Sequence, residues 1–265
     1  MATRALFNSK KQSLIAMLHL QALPGTPQSN LTVEKIVIRA MEEAAVYVKY
    51  GVDILMLENM HDRPYTAGGV GPEITSVMTR VAVSLRTKYP KIPIGVQVLA
   101  AANKEALAVA LAADLDFIRV EGFVFAHVAD EGWINASAAE LLRYRKMIKA
   151  DHIKIFADVK KKHSSHAVTS DLSVEAISSA AEFFLCDGVV LTGHSTGLPA
   201  DSQELDRIKK SVKIPVLIGS GITPESVNEM GRADGFIVGS YMKKGGKWNN
   251  QIDPTRVKAM VKALK

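Results

Sequence analysis

The densest chemistry in the sequence falls in one short segment, Asp158-Val-Lys-Lys-Lys-His163-Ser-Ser-His166. A carboxylate, three ammonium groups and two imidazoles share it. Asp158 can act as a base, and His163 suits acid–base work near neutrality. Lys162 can stabilise an oxyanion, polarise a carbonyl or, with a depressed pKa, condense with one. A second group is built from glycine and serine: Gly219-Ser220-Gly221 stands before Thr223-Pro224-Glu225, and Gly239-Ser240 follows. Glycines that let a backbone approach closely, ahead of a helix N-terminus, make a cradle for phosphate. The dinucleotide fingerprint is not met, because a third glycine is missing and Glu225 falls at a helix start. Glu58 and Glu121 can supply a base or, with Asp158 and a histidine, bind a divalent ion, although no spacing requires a metal.

These residues need a scaffold, and the apolar runs describe one. Four runs start with aspartate, at Asp53, Asp116, Asp187 and Asp234, and four with a bulky aliphatic, at Leu14, Ile92, Ile153 and Ile214. The two kinds alternate strictly along the chain. Near-continuous apolar runs of this length read as parallel strands buried on both faces. Between them lie helical stretches with readable ends. Val33, Ile36, Val37, Ala40, Ala44 and Tyr47 form a stripe that Gly51 stops, and Ser137 with Glu140 has capping-box spacing. Thr223-Pro224 and Asp253-Pro254 each place a cap before a first-turn proline, and the last helix ends in lysines. Eight such units predict an α/β fold, a (βα)8 TIM barrel in one domain over residues 1–265, with 1–12 as a lead-in. A doubly wound open sheet is the rival.

Barrel sites lie at the C-terminal strand ends. The sixth residue of each run gives a rim of His19, Glu58, Gln97, Glu121, Asp158, Thr192, Gly219 and Gly239. We therefore expect Glu58 and Asp158 as bases, His163 as acid and Lys162 as the oxyanion or carbonyl partner. His19, Asn59, Gln97, Arg119, Glu121 and Thr192 are expected to bind substrate. Phosphate is placed at Gly219, Ser220, Gly221, Gly239 and Ser240, with Gly193 nearby. The loop from His61 to Gly71 reads as a lid or a fixed connection. Cys186 reads as a buried thiol, and His127 and His152 as ordinary surface or loop residues.

Composition narrows the class. The 265 residues are 48% hydrophobic and 23% charged, which excludes a disordered tail or a collagen-like repeat. No apolar run is long enough to span a bilayer. One cysteine excludes an internal disulfide and fits a reducing compartment. The 33 basic and 27 acidic residues leave +6, spread in small groups without interleaved aromatics, so a small anion is favoured over nucleic acid. Residues 1–11 carry Arg4, Lys10, Lys11 and no acid, superficially like a transit peptide. Strand-like sequence begins by Leu14, so a cytoplasmic location is expected, with the mitochondrion as the alternative.

With these residues in view, the chain resembles the BtpA family. The resemblance rests on Met17-Leu-His-Leu-Gln-Ala-Leu-Pro-Gly25, Leu57-Glu-Asn59 with Asp62, Phe117-Ile-Arg-Val120 and Leu142-Arg-Tyr-Arg145. It continues through Ala157-Asp-Val159, Lys162-His163, Thr192-Gly193 with Thr196-Gly197, Ile218-Gly-Ser-Gly221, Asp234 to Gly239 and Asp253-Pro254. It implies a barrel, in agreement with the strand count. The family's founding role, supporting photosystem I accumulation in cyanobacteria, implies no reaction. Many members carry Arg-Asn-Asp where this chain has Ala100-Ala101-Ala102, so no role for those polar residues transfers.

Together these features predict an enzyme on a small phosphorylated metabolite, a sugar phosphate, with isomerase, epimerase or lyase chemistry. No cofactor is required. A flavin-mononucleotide (FMN) barrel and a non-catalytic assembly or regulatory factor are the alternatives, and a homo-oligomer stays open.

Overall fold

The computed structural model describes residues 6–7, 12–193 and 201–265. Most of the lead-in and the Thr196-Gly197 pair lie outside the described residues. In chain order the strands are β1 (Ser13–His19), β2 (Ile54–Glu58), β3 (Ile94–Gln97), β4 (Phe117–Val120), β5 (His127–Ala129), β6 (Gly132–Ile134), β7 (Lys154–Val159), β8 (Ser164–Ser165), β9 (Gly188–Thr192), β10 (Val216–Gly219) and β11 (Gly235–Val238). The α-helices are α1 (Val33–Tyr50), α2 (Pro72–Lys88), α3 (Asn103–Ala112), α4 (Ala138–Met147), α5 (Val174–Phe183), α6 (Ser202–Ser211) and α7 (Pro254–Leu264). Eight strands close into a parallel barrel in the order β1-β11-β10-β9-β7-β4-β3-β2. The open doubly wound sheet is thereby excluded.

The alternation of aspartate-led and aliphatic-led runs has a structural cause at the barrel floor. Asp53 accepts the Leu14 N–H, and Asp116 accepts that of Ile94. Asp187 accepts the Ile155 N–H, and Asp234 that of Val216. Each carboxylate thus satisfies an amide at the start of the neighbouring aliphatic-led strand, an orphan donor that would otherwise be costly to bury. Arg86 pairs with Asp116, Arg145 and Lys154 with Asp187, and Lys209 with Asp234.

Inside the barrel pack Ile15, Met17, Ile54, Met56, Phe117, Phe156, Val190, Leu217 and Ile237. Two glycines make room for the rings. A Cβ at Gly95 would lie 2.2 Å from Phe117, and one at Gly188 would lie 2.4 Å from Phe156. Phe7 stacks edge-on to Phe156 at 5.4 Å, so part of the lead-in plugs the floor. Around the strands, a larger apolar layer joins them to the helices.

Helix ends follow the sequence in part. Thr32 caps α1, and Gly51 ends it at φ 82°. Asp253 caps α7 ahead of Pro254. Two expected signals are not realised. Ser137 does not cap α4; its hydroxyl donates to the Gly122 carbonyl and accepts from Asn103, while Glu140 pairs with Lys104. After Thr223-Pro224 no α-helix forms, only turns and a 3-10 segment, Asn228–Met230. Ser226 instead donates to the Thr223 carbonyl and accepts its N–H, closing a local turn in the short span before β11.

The sequence reading also missed a small antiparallel sheet, β6-β5-β8. It comes from the segment joining β4 to α4 and pairs with Ser164–Ser165 beyond β7. This corrects the reading of His127, which is 5% exposed, lies tilted against His166 at 5.4 Å and has a buried Nε2 with no hydrogen-bond partner among the described residues.

A candidate active site at the barrel rim

A cavity of about 260 Å3 opens at the C-terminal ends of the barrel strands. One wall is set by strand register. His19, Glu58 and Gln97 lie side by side on β1, β2 and β3, because His19 pairs with Glu58 and Glu58 with Gln97. All three are buried. His19 Nε2 stands 3.4 Å from Glu58 Oε2, and its Nδ1 faces the Trp248 carbonyl at 3.4 Å. Burial, with Lys243 adding to it, lowers the His19 pKa to about 3. Burial likewise raises that of Glu58, against the pull of Arg119 and Lys162. Both shifts favour the uncharged forms, which works against an ion pair at this contact.

Across the cavity lie three cations, from β4 and the segment after β7. Arg119 donates from Nε and an Nη to both Asp158 oxygens, at 2.7 and 2.9 Å. Burial opposes its charge, but the Asp158 carboxylate more than offsets this and keeps the guanidinium ionised. Lys161 is held between Glu121 at 3.3 Å and Glu131 at 3.4 Å, the latter from the β5–β6 hairpin. Glu121 also accepts the Ala101 N–H, so the alanine run contributes backbone rather than side chains. Its pKa is raised by burial, against Lys161. Lys162 differs from Lys161: burial and the neighbouring Arg119 lower its pKa. His163 lines the same cavity.

The remaining wall is the glycine–serine group. Ser220 and Gly221 adopt positive φ, 86° and 70°, turning the backbone of Ser220 to Thr223 along the cavity. Gly239 must lack a side chain, since a Cβ there would lie 2.9 Å from the His19 ring. Ser240 and Tyr241 begin a 3-10 turn beside it. Arg256, from the first turn of α7, donates to the Tyr241 carbonyl and stacks on its ring at 4.2 Å. Lys162 joins the two walls, with Nζ 3.5 Å from Ser220 Oγ.

Four expected binding residues stand elsewhere. Asn59 accepts the Leu99 N–H at 2.7 Å and donates to Asp62, which accepts the Leu23 N–H; it latches loops and faces a separate hollow. Thr192, Gly193 and Gly219 do not line the rim cavity. Gly219 is packed against Val190 and Thr192, so its lack of a side chain serves the barrel wall. The 61–71 loop is tied to the segment after β3, Gly68 donating to the Ala100 carbonyl and Thr66 accepting the Ala100 N–H. His152 is exposed and Cys186 is buried, its thiol pKa pushed up to about 12 by burial. Tyr65, Asp130, Glu131, Tyr241 and Arg256 line the cavity without having been anticipated. Of these, Arg256 was discernible, one turn into a helix whose capped start had been read. Among the described residues, no three His, Cys, Asp or Glu side chains are grouped to hold a metal ion. No described helix is long and apolar enough to cross a membrane.

Solved structures share the fold. Orotidine 5'-monophosphate decarboxylase from Methanocaldococcus jannaschii, complexed with the inhibitor BMP, superposes with TM-score 0.61 at 16% identity, over 96% of this chain and 99% of that one. Thiamine phosphate pyrophosphorylase from Pyrococcus furiosus gives 0.57 at 16% identity, over 96% of each chain. Sequence relatives are nearer. An uncharacterized mitochondrial protein of Caenorhabditis elegans is 47% identical over 261 residues, 97% of this chain and 94% of that protein. The photosystem I biogenesis protein BtpA of Synechocystis is 34% identical over 253 residues, 95% and 87% of the two chains. The BtpA family profile matches residues 10–265. Its span takes in every barrel strand and both walls of the cavity, and the chain belongs to the BtpA family.

Proposed function

We propose that this protein is an enzyme acting on a small phosphorylated metabolite, a sugar phosphate, by proton transfer in an isomerisation, epimerisation or carbon–carbon cleavage. One observation carries the reading: Lys162 reaches Ser220 at 3.5 Å, joining a wall of buried acid–base groups to a wall of turned backbone with Arg256. A phosphate on the backbone wall holds the rest of the substrate against Glu58, Lys162 and His163. Glu58 exchanges the proton with carbon or oxygen, and Lys162 steadies the oxyanion. Asp158, with both oxygens engaged by Arg119, serves as its counter-ion rather than as the base. Barrel neighbours named for orotidine 5'-monophosphate, thiamine phosphate and phosphoribosyl anthranilate support the ligand class. A reducing compartment, the cytoplasm or the mitochondrion named for the worm relative, suits the single buried thiol.

Thermal unfolding against a panel of sugar phosphates tests the proposal. A ligand at 100 times its Kd stabilises by about 2.7 kcal/mol, a rise of roughly 5–11 °C for a chain near this size. Solvent deuterium entering the bound ester then reports proton transfer. No shift with any phosphorylated compound, and a Gly221→Asp variant indistinguishable from wild type, overturn the proposal.

A further inference from the structure

Gln97 is 2% exposed, lines the cavity, and its buried Oε1 has no hydrogen-bond partner among the described residues. Buried acceptors are ordinarily satisfied, and one left open at a site invites a donor from outside the chain. Strand pairing fixes where that donor must lie. Gln97 and Glu58 are register partners on adjacent strands, so their side chains stand next to one another on one wall. We propose that Gln97 is the specificity-determining residue of the site: its amide oxygen accepts a hydrogen bond from a substrate hydroxyl neighbouring the atom on which Glu58 acts. This deepens the reading above and rests on it. It narrows the substrate class to a hydroxylated phosphate ester and excludes esters that are apolar beside the reacting atom. A neutral hydroxyl matches because the amide oxygen is itself an uncharged acceptor.

A site built to bond a hydroxyl rejects the analogue without it, because its own polar group is then buried unpaired. Leaving one neutral acceptor unpaired weakens binding by roughly 5- to 150-fold. The test measures Kd by thermal shift and calorimetry for inorganic phosphate, for the sugar phosphate giving the largest shift, and for each of its mono-deoxy analogues. The first pair is ribose 5-phosphate against 2-deoxyribose 5-phosphate. In the wild type, one deoxy analogue should bind within that range more weakly than its parent. Gln97→Leu should weaken the parent to the analogue's level, leave inorganic phosphate unchanged and raise the melting temperature of the ligand-free protein. Equal binding of every deoxy analogue by the wild type overturns the inference without needing a variant. So does discrimination that survives in Gln97→Leu or Gln97→Asn. Failure of inorganic phosphate and all esters to bind removes the phosphorylated-substrate reading and this inference with it. Binding of esters without discrimination removes this inference alone.

Discussion

Replacing Asp158 with asparagine separates two roles open to it, base and counter-ion. The Arg119 guanidinium donates to both Asp158 oxygens, and the two side chains are 9% and 2% exposed. Removing one partner of such a pair strands a buried charge, which costs about 3–5 kcal/mol. Glu58 and Glu121 also face Arg119 and favour its charged form, which places the cost at the low end. About 3 kcal/mol corresponds to a fall of roughly 6–12 °C in melting temperature for a chain of this order of size. Circular dichroism melts at neutral pH read it directly. Arg119→Met with Asp158→Leu should recover most of the loss, since replacing both members leaves no stranded charge. A base would behave otherwise, with turnover lost and stability kept. A fall under about 2 °C in the single variant, with no coupling between the two positions, would refute the counter-ion assignment.

Three other perturbations test separate parts of the structure. Gly239→Ala drives a methyl to 2.9 Å from the His19 ring, so the protein should fold while ligand-induced stabilisation is largely lost in thermal shift. Gly95→Ala meets the Phe117 ring at 2.2 Å. It should destabilise by about 1–3 kcal/mol in urea titration, and Phe117→Leu should relieve most of that. His127 is held neutral by burial, with His166 and Lys161 adding, at a pKa of about 4 against 6.5. Its contribution is complete above pH 6.5 and is lost as pH falls through about 4. His127→Phe should therefore remove about 1.4 kcal/mol per pH unit from the stability slope in that window. Glu58 and Glu121 act in the opposite sense, since raised carboxyl pKa values give stability at low pH that fades as pH rises. An unchanged slope in the variant would count against the buried, neutral histidine.

What could be read from the chain alone depended on periodicity. All eight barrel strands and the caps at Gly51 and Asp253 were legible, because strands buried on both faces must be apolar throughout and helices must end on particular residues. The rim row of His19, Glu58 and Gln97 followed from counting along the strands. Roles decided by pairing were not legible. Asp158 and Asn59 look equally available in the sequence, yet Arg119 engages one and the Leu99 backbone the other. The β5–β6 hairpin was missed because its strands are three residues each and half exposed, leaving no alternation to detect. The phosphate helix expected after Thr223-Pro224 failed for a local reason: the Ser226 hydroxyl offers the backbone a competing turn.

Four aspartates at the floor bind every second strand to its neighbour by the same side-chain-to-amide bond. A barrel's stagger can slip only if strands slide past one another, and a slide of one residue would turn each rim side chain from the cavity into the helix layer. Here the sliding is blocked at the end of the barrel remote from the cavity. Geometry is thereby fixed at one pole and reactivity expressed at the other. The rim residues are free to change without any strand losing count.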